Sequence, residues 1–109
     1  MPLSKKVKFV VFVPTSHAEK VRMTLGDIGA GQIGNYEHCS FSTLGTGRFR
    51  GNASSNPAIG TVGVLEAIEE ERIEVVMPED LVKEAVDKVK SVHPYEEVAF
   101  DIYPLLSIE

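Results

Sequence analysis

The sequence predicts an α+β domain of ferredoxin-like type, ordered β-α-β-β-α-β, with an antiparallel sheet and two helices on one face. Three observations predict it. Two runs with apolar residues at helical spacing, about 16–28 and 78–93, each follow a β-forming run that ends in proline, at Pro14 and Pro78. Further β-forming stretches lie between the two helices and after the second. The length of 109 residues, 43% of them hydrophobic, fits one domain that buries its own core. Right-handed crossovers then place the first and third strands in the centre.

Each element has a local reason. Val7–Val13 is rich in valine and phenylalanine and stops at Pro14, as a largely buried strand does. In the first helix, about 16–28, Ser16 and Glu19 have capping-box spacing. Ala18, Val21, Leu25 and Ile28 line one face, and Gly29 and Gly31 end it. The second strand is expected at about 37–46, with His38 and Cys39 at its start and Phe41 and Thr43 inside it. The stretch GTGRFRGNASSNPAIGTVG, 45–63, has five glycines, two asparagines, two serines and a proline, and reads as a long loop.

Residues 64–77 carry two signals. Leu65, Ala67 and the glutamates have helical propensity, whereas RIEVVM is a β run closed by Pro78. The segment is assigned to one long strand with room for a bulge. In the second helix Pro78, Glu79 and Asp80 suit the first turn, and Val82, Ala85, Val89 and Val92 form the apolar face. Lys83, Lys88 and Lys90 lie off that face, and Pro94 blocks continuation. In EVAFDIYPL, 97–105, Val98, Phe100 and Ile102 alternate inward against Ala99, Asp101 and Tyr103.

Composition bounds the function. A formal net charge of −5 argues against a nucleic-acid partner, which needs a basic face. The single cysteine, Cys39, excludes an internal disulfide and a cysteine zinc cluster within one chain. The apolar run Val7–Val13 is far shorter than the ~20 residues of a membrane span and lacks a cleavage pattern. The expectation is a cytoplasmic protein with no membrane partner.

Topology sorts the chemistry-bearing residues. The first strand ends at the edge where the second ends and the fourth begins. That edge gathers Thr15, Ser16 and His17, the 45–63 loop with Gly47, Arg48 and Arg50, and the HPYEE stretch of His93, Pro94, Tyr95, Glu96 and Glu97. His38 falls at the opposite edge. Three chemistries are open there. His17, His93 and Glu97 have ligand types for a divalent metal, although H-x-x-E spacing outside a helix is a weak metal motif. A histidine beside glutamates is an acid/base pair, but no nucleophile elbow or triad accompanies it. Arg48 and Arg50 among glycines suit a small anion or a nucleotide. The loop lacks the lysine of a Walker phosphate loop, and GDIGAGQIG closes a helix rather than opening one, so neither nucleotide fingerprint applies. The plainer reading is that His93 and Pro94 end the helix and Tyr95–Glu97 lead into the last strand.

The G-T-G-x-F loop, the N-P-x-I-G turn, the E-x-R-I-E strand and H-P-Y-E-E together resemble the inserted domain of the NGG-interacting-factor-three-like proteins, the Nif-three or YqfO-like family. The resemblance covers nearly the whole chain. It implies a fold like that of the PII signalling and CutA proteins, strand rather than helix at 64–77, and a homo-oligomer with a trimer favoured. The family's dinuclear metal site and its GTP cyclohydrolase label belong to flanking domains with no counterpart positions here, so neither carries over. By analogy of fold, the ligand or partner-protein surface is the 45–63 loop with His93–Glu97. The expected function is a small binding or regulatory module without catalysis of its own. The alternative is a divalent-metal protein, in metal tolerance or metal-assisted hydrolysis.

Overall fold

A computed structural model describes residues 1–108. Its elements are β1 (Leu3–Pro14), α1 (Thr15–Asp27), β2 (Phe41–Phe49), β3 (Glu66–Pro78), a short 3-10 turn (Glu79–Leu81) running into α2 (Val82–Val92), and β4 (Phe100–Leu106). The strands form one sheet in the order β2-β3-β1-β4, with every pair antiparallel. This is the expected ferredoxin-like arrangement, with β1 and β3 central.

Alternation along β1 divides the molecule. Val7, Phe9, Val11 and Val13 point to one face, where they pack with Ile73, Val75 and Met77 of β3. Ala18, Val21 and Leu25 of α1 and Ala85 and Val89 of α2 close the same core, so both helices cover one face. Phe9 stacks on Phe100 with ring centroids 5.7 Å apart. Each large apolar side chain buried this way contributes about 1.5–3 kcal/mol. The intervening residues face the other way. Lys8 pairs with Glu74 at 3.4 Å, and the Arg72 guanidinium lies 5.7 Å from the centre of the Phe12 ring while binding Glu74 at 3.2 Å. Among the described residues this face carries no helix.

The boundaries differ from the expected ones in instructive places. β1 begins at Leu3 rather than Val7, because backbone pairing with β3 and β4 continues past the lysines that break the apolar pattern. α1 has no capping box. Pro14 is its N-cap residue, Ser16 already lies inside the first turn, and the Ser16 hydroxyl bonds His17 Nδ1 at 2.8 Å instead. β2 is displaced to 41–49. His38 takes a left-handed φ of 58° and the Cys39 N–H donates to Gly31 O at 2.9 Å, so both belong to the preceding turn. Gly31 itself has φ +81° and its position leaves no room for a Cβ beside the Cys39 carbonyl.

At its other end β2 runs on past the expected end at 46 through Gly47, Arg48 and Phe49, which composition assigns to the loop. Gly45 and Gly47 pair with Glu70 and Ile68. The long partner strand imposes extended backbone on residues with low strand propensity. Residues 66–78 form a strand, as expected, and its ladders run without interruption. The one register shift falls between Leu3 and Val7 against β4, not in β3. β4 starts at Phe100 rather than 97. Val98 and Phe100 pack on the core, but Ile102, on the sheet edge, remains 38% exposed.

Candidate functional site

The rim of the sheet where β1 and β2 end and β3 and β4 begin holds the site. His93 is the C-cap residue of α2, extended at φ −84° and ψ 138°, and its N–H donates to Val89 O at 2.9 Å. Pro94 then prevents another helical turn. The His93 ring folds inward and is only 7% exposed. Its Nδ1 accepts the Tyr95 N–H at 3.1 Å, and its Nε2 lies 2.7 Å from the Phe12 carbonyl. An amide N–H only donates and a carbonyl only accepts, so the neutral ring carries its proton on Nε2. Burial pushes the His93 pKa below its ordinary value, against the opposing pull of the Phe12 carbonyl and Glu70 charge; nearby His17 adds to the lowering. His93 therefore locks the helix end to the end of β1.

That lock positions Tyr95. Its ring meets Phe49 edge-on at 5.5 Å, and its hydroxyl donates to Glu70 Oε2 at 2.7 Å. Burial, followed by the bond to Glu70, raises the phenol pKa well above its usual value, so the hydroxyl stays a donor. Glu70 is only 8% exposed. Its carboxylate lies over Gly47, where a Cβ would force the carboxylate to move aside. This is a physical reason for glycine in the middle of β2.

Glu96 ties down the segment between β2 and β3. Both of its carboxylate oxygens accept the Asn56 N–H, at 3.2 and 3.1 Å. The segment is also closed on itself. Ser54 N–H donates to Asn52 Oδ1 at 2.9 Å, the Ser55 hydroxyl to Asn52 O at 2.7 Å, and Gly63 N–H to Gly51 O at 2.9 Å.

Between this loop, the end of β2 and HPYEE lies a cavity of about 320 Å³. Its walls are mainly apolar, from Phe12, Phe49, Pro57, Ile59 and Ala99, with Glu70 and Tyr95 among the polar groups. Arg48 and Arg50 line it from exposed positions. Neither arginine has a carboxylate partner among the described residues, whereas Arg22 is paired with Glu71 and Glu19 and Arg72 with Glu74.

Of the residues singled out in the sequence, Gly47, Arg48, Arg50, Tyr95, Glu96 and Glu97 all border this one cavity. His93 and His17 are not among its lining residues. Among the described residues no group of three His, Cys, Asp or Glu side chains is arranged to hold a metal ion. Both ring nitrogens of His93 are engaged, so the set His17, His93 and Glu97 is not assembled as a ligand triad. Sequence reasoning missed Glu70, Phe12 and Phe49. Glu70 is hidden in the run Glu69–Glu71, where composition does not separate an inward carboxylate from solvated ones. The usable signal was strand parity, which puts Glu70 on the same face as Arg72 and Glu74, opposite the core.

No family model matches the chain. It is 47% identical over 98 residues to a Bacillus subtilis protein named GTP cyclohydrolase 1 type 2 homolog, covering 90% of this chain and 26% of that protein. The homologue of the same name in Mycobacterium tuberculosis is 46% identical over 99 residues, covering 91% of this chain and 26% of that protein. The chain thus spans about a quarter of the length of the curated relatives it matches. Among solved structures, a Bacillus cereus protein related to NIF3 superposes with a TM-score of 0.78 at 47% identity, over 96% of this chain and 26% of that one. The periplasmic divalent cation tolerance protein CutA of Archaeoglobus fulgidus superposes with a TM-score of 0.66 at 18% identity, over 92% of this chain and 83% of that one. The CutA likeness is one of fold.

Proposed function

We propose that this chain, which is homologous to one segment of the NIF3-related proteins, is a small ligand-binding or regulatory module without catalysis of its own. The ligand site is the rim cavity, and its ligand carries an anionic group. One observation carries this reading. In a chain of net charge −5, two arginines without carboxylate partners among the described residues flank an apolar cavity. Arginine forks match carboxylate and phosphoryl oxygens two at a time. An apolar cavity with a few convergent polar groups is the ordinary form of a small-molecule site, and about 320 Å³ lies at the small end of the ~300–1,000 Å³ range.

No group in the cavity is arranged as a nucleophile with its base, which supports binding over chemistry. The alternative of a divalent-metal protein requires His93 to surrender the hydrogen bond that fixes either Tyr95 or Phe12. The reading includes self-association, with a trimer favoured, and a cytoplasmic location. A helix-free sheet face and exposed Leu3, Phe41, Tyr103 and Leu106 support self-association. No helix among the described residues is long and apolar enough to cross a membrane. Light scattering that returned a monomer mass at all concentrations would exclude the assembly.

The site reading is tested by calorimetric titration with three probes: inorganic phosphate, adenosine monophosphate and 3-phenylpropanoate. At least one is expected to bind, and Arg48→Ala with Arg50→Ala is expected to weaken it. Absence of binding by all three, or affinity indifferent to both arginines, sinks the reading. Zinc bound in stoichiometric amount, and lost on His93→Ala, would favour the metal alternative.

A further inference from the structure

The geometry points to a ligand that is a small zwitterion with an apolar body, its ammonium on Glu70 and its oxyanion on Arg48 and Arg50. This rests on the rim cavity being a ligand site and adds the class of ligand. The key observation is the state of Glu70. More than nine-tenths of this residue is buried, and it lines the cavity. Its Oε2 receives one neutral hydrogen bond, from Tyr95. Its Oε1 has no hydrogen-bond or ion-pair partner among the described residues. Among the described residues no lysine or arginine pairs with the carboxylate, and the buried histidine behind Tyr95 is held neutral by its two hydrogen bonds.

No unpartnered side-chain nitrogen or oxygen is buried among the described residues, so Oε1 is open to the cavity, an acceptor on a mostly buried carboxylate that a cation satisfies best. The cavity is where the missing partner fits. A ligand ammonium reaching Glu70 Oε1 supplies both the charge and the donor. Charge then divides along the cavity. Glu70 is buried, so the negative group sits inside; Arg48 and Arg50 line the same cavity from exposed positions. Phe12, Phe49 and Ile59 leave the space between them apolar. A simple anion satisfies the arginines and leaves Glu70 unpaired. A simple cation does the reverse. A zwitterion of amino-acid type satisfies both ends and buries its side chain on the aromatic walls.

The test is a comparison of L-phenylalanine, 3-phenylpropanoate and 2-phenylethylamine by calorimetric titration. They share one body and differ in carrying both charges, the anion alone or the cation alone. L-phenylalanine is expected to bind at least about tenfold more tightly than either truncated probe, the size of one lost hydrogen bond to a charged group. Glu70→Gln keeps an acceptor for Tyr95 and is expected to lower L-phenylalanine to the affinity of 3-phenylpropanoate, leaving the latter no weaker. Replacing the carboxylate by a phosphonate on the same amine tells which oxyanion the arginines prefer. Equal affinity for L-phenylalanine and 3-phenylpropanoate overturns the zwitterion inference while the anion-site reading stands. No binding by any of the three overturns the inference, and phosphate and adenosine monophosphate then decide the broader reading. Should Glu70→Gln fail to fold, the three-probe comparison on the unaltered protein still decides.

Discussion

The two faces of the sheet use the same strands and are built on different physics. On the helix face Val7, Phe9, Val11 and Val13 are each 7% exposed or less and touch other carbon. On the opposite face, one residue along, Lys8, Phe12, Glu70, Arg72 and Glu74 form ion pairs, a cation–π contact and the wall of a cavity. The helix face has burial to gain and no specificity to offer. The open face supplies directional groups that a ligand can read. Apart from Val10, which is fully buried on the open face, stability and recognition are separated by residue parity, so substitutions at most neighbouring positions of one strand have effects of different kind.

The largest effect is expected on the helix face. Phe9→Ala removes a fully buried ring stacked on Phe100 and is expected to cost about 3–5 kcal/mol in urea denaturation. A cost well under that would mean the core relaxes and the contrast between faces is overstated. Leu25→Ala, fully buried in α1, is expected to cost about 2–5 kcal/mol by the same measurement.

At the rim the two physics meet, and the effect is expected to be intermediate. Tyr95→Phe leaves the buried Glu70 carboxylate without its donor and is expected to cost about 1–3 kcal/mol. No loss would show that water replaces the hydroxyl and that Glu70 is wetter than its burial implies.

His93 gives a pH signature. Burial lowers its folded-state pKa below the ordinary 6.5. The unfolded chain therefore binds the proton more readily, so this contribution to stability is full above about pH 6.5 and declines as pH falls toward the depressed folded value. His93→Gln is expected to flatten the stability profile between about pH 7 and 5 relative to the parent. An unchanged slope would assign the pH dependence elsewhere.

Much of the fold was legible in the sequence, and the reasons are local. The α2 face of Ala85 and Val89, with Pro94 beyond it, marks a helix by itself. The cavity was half legible. Topology brings HPYEE to the glycine-rich loop, and the Asn56–Glu96 hydrogen bonds realise that meeting. What stayed hidden depends on pairing across the sheet. Gly45 and Gly47 have no strand propensity, and only their partners Glu70 and Ile68 make them strand. Glu70 looks like its neighbours until register puts it over Gly47 and under Tyr95. His93 looks like a ligand until its two ring nitrogens are seen to be occupied by backbone.

The smallest expected change in stability coincides with the largest expected change in binding, and that pairing is the most direct test. Arg48→Ala with Arg50→Ala is measured by urea denaturation and by calorimetric titration with 3-phenylpropanoate, side by side with the parent protein. Each exposed arginine is expected to alter stability by no more than about 0.5 kcal/mol, while affinity falls at least about tenfold. A parent protein that binds, paired with a double variant that binds equally well or has lost its fold, would contradict the assignment of the rim arginines to recognition.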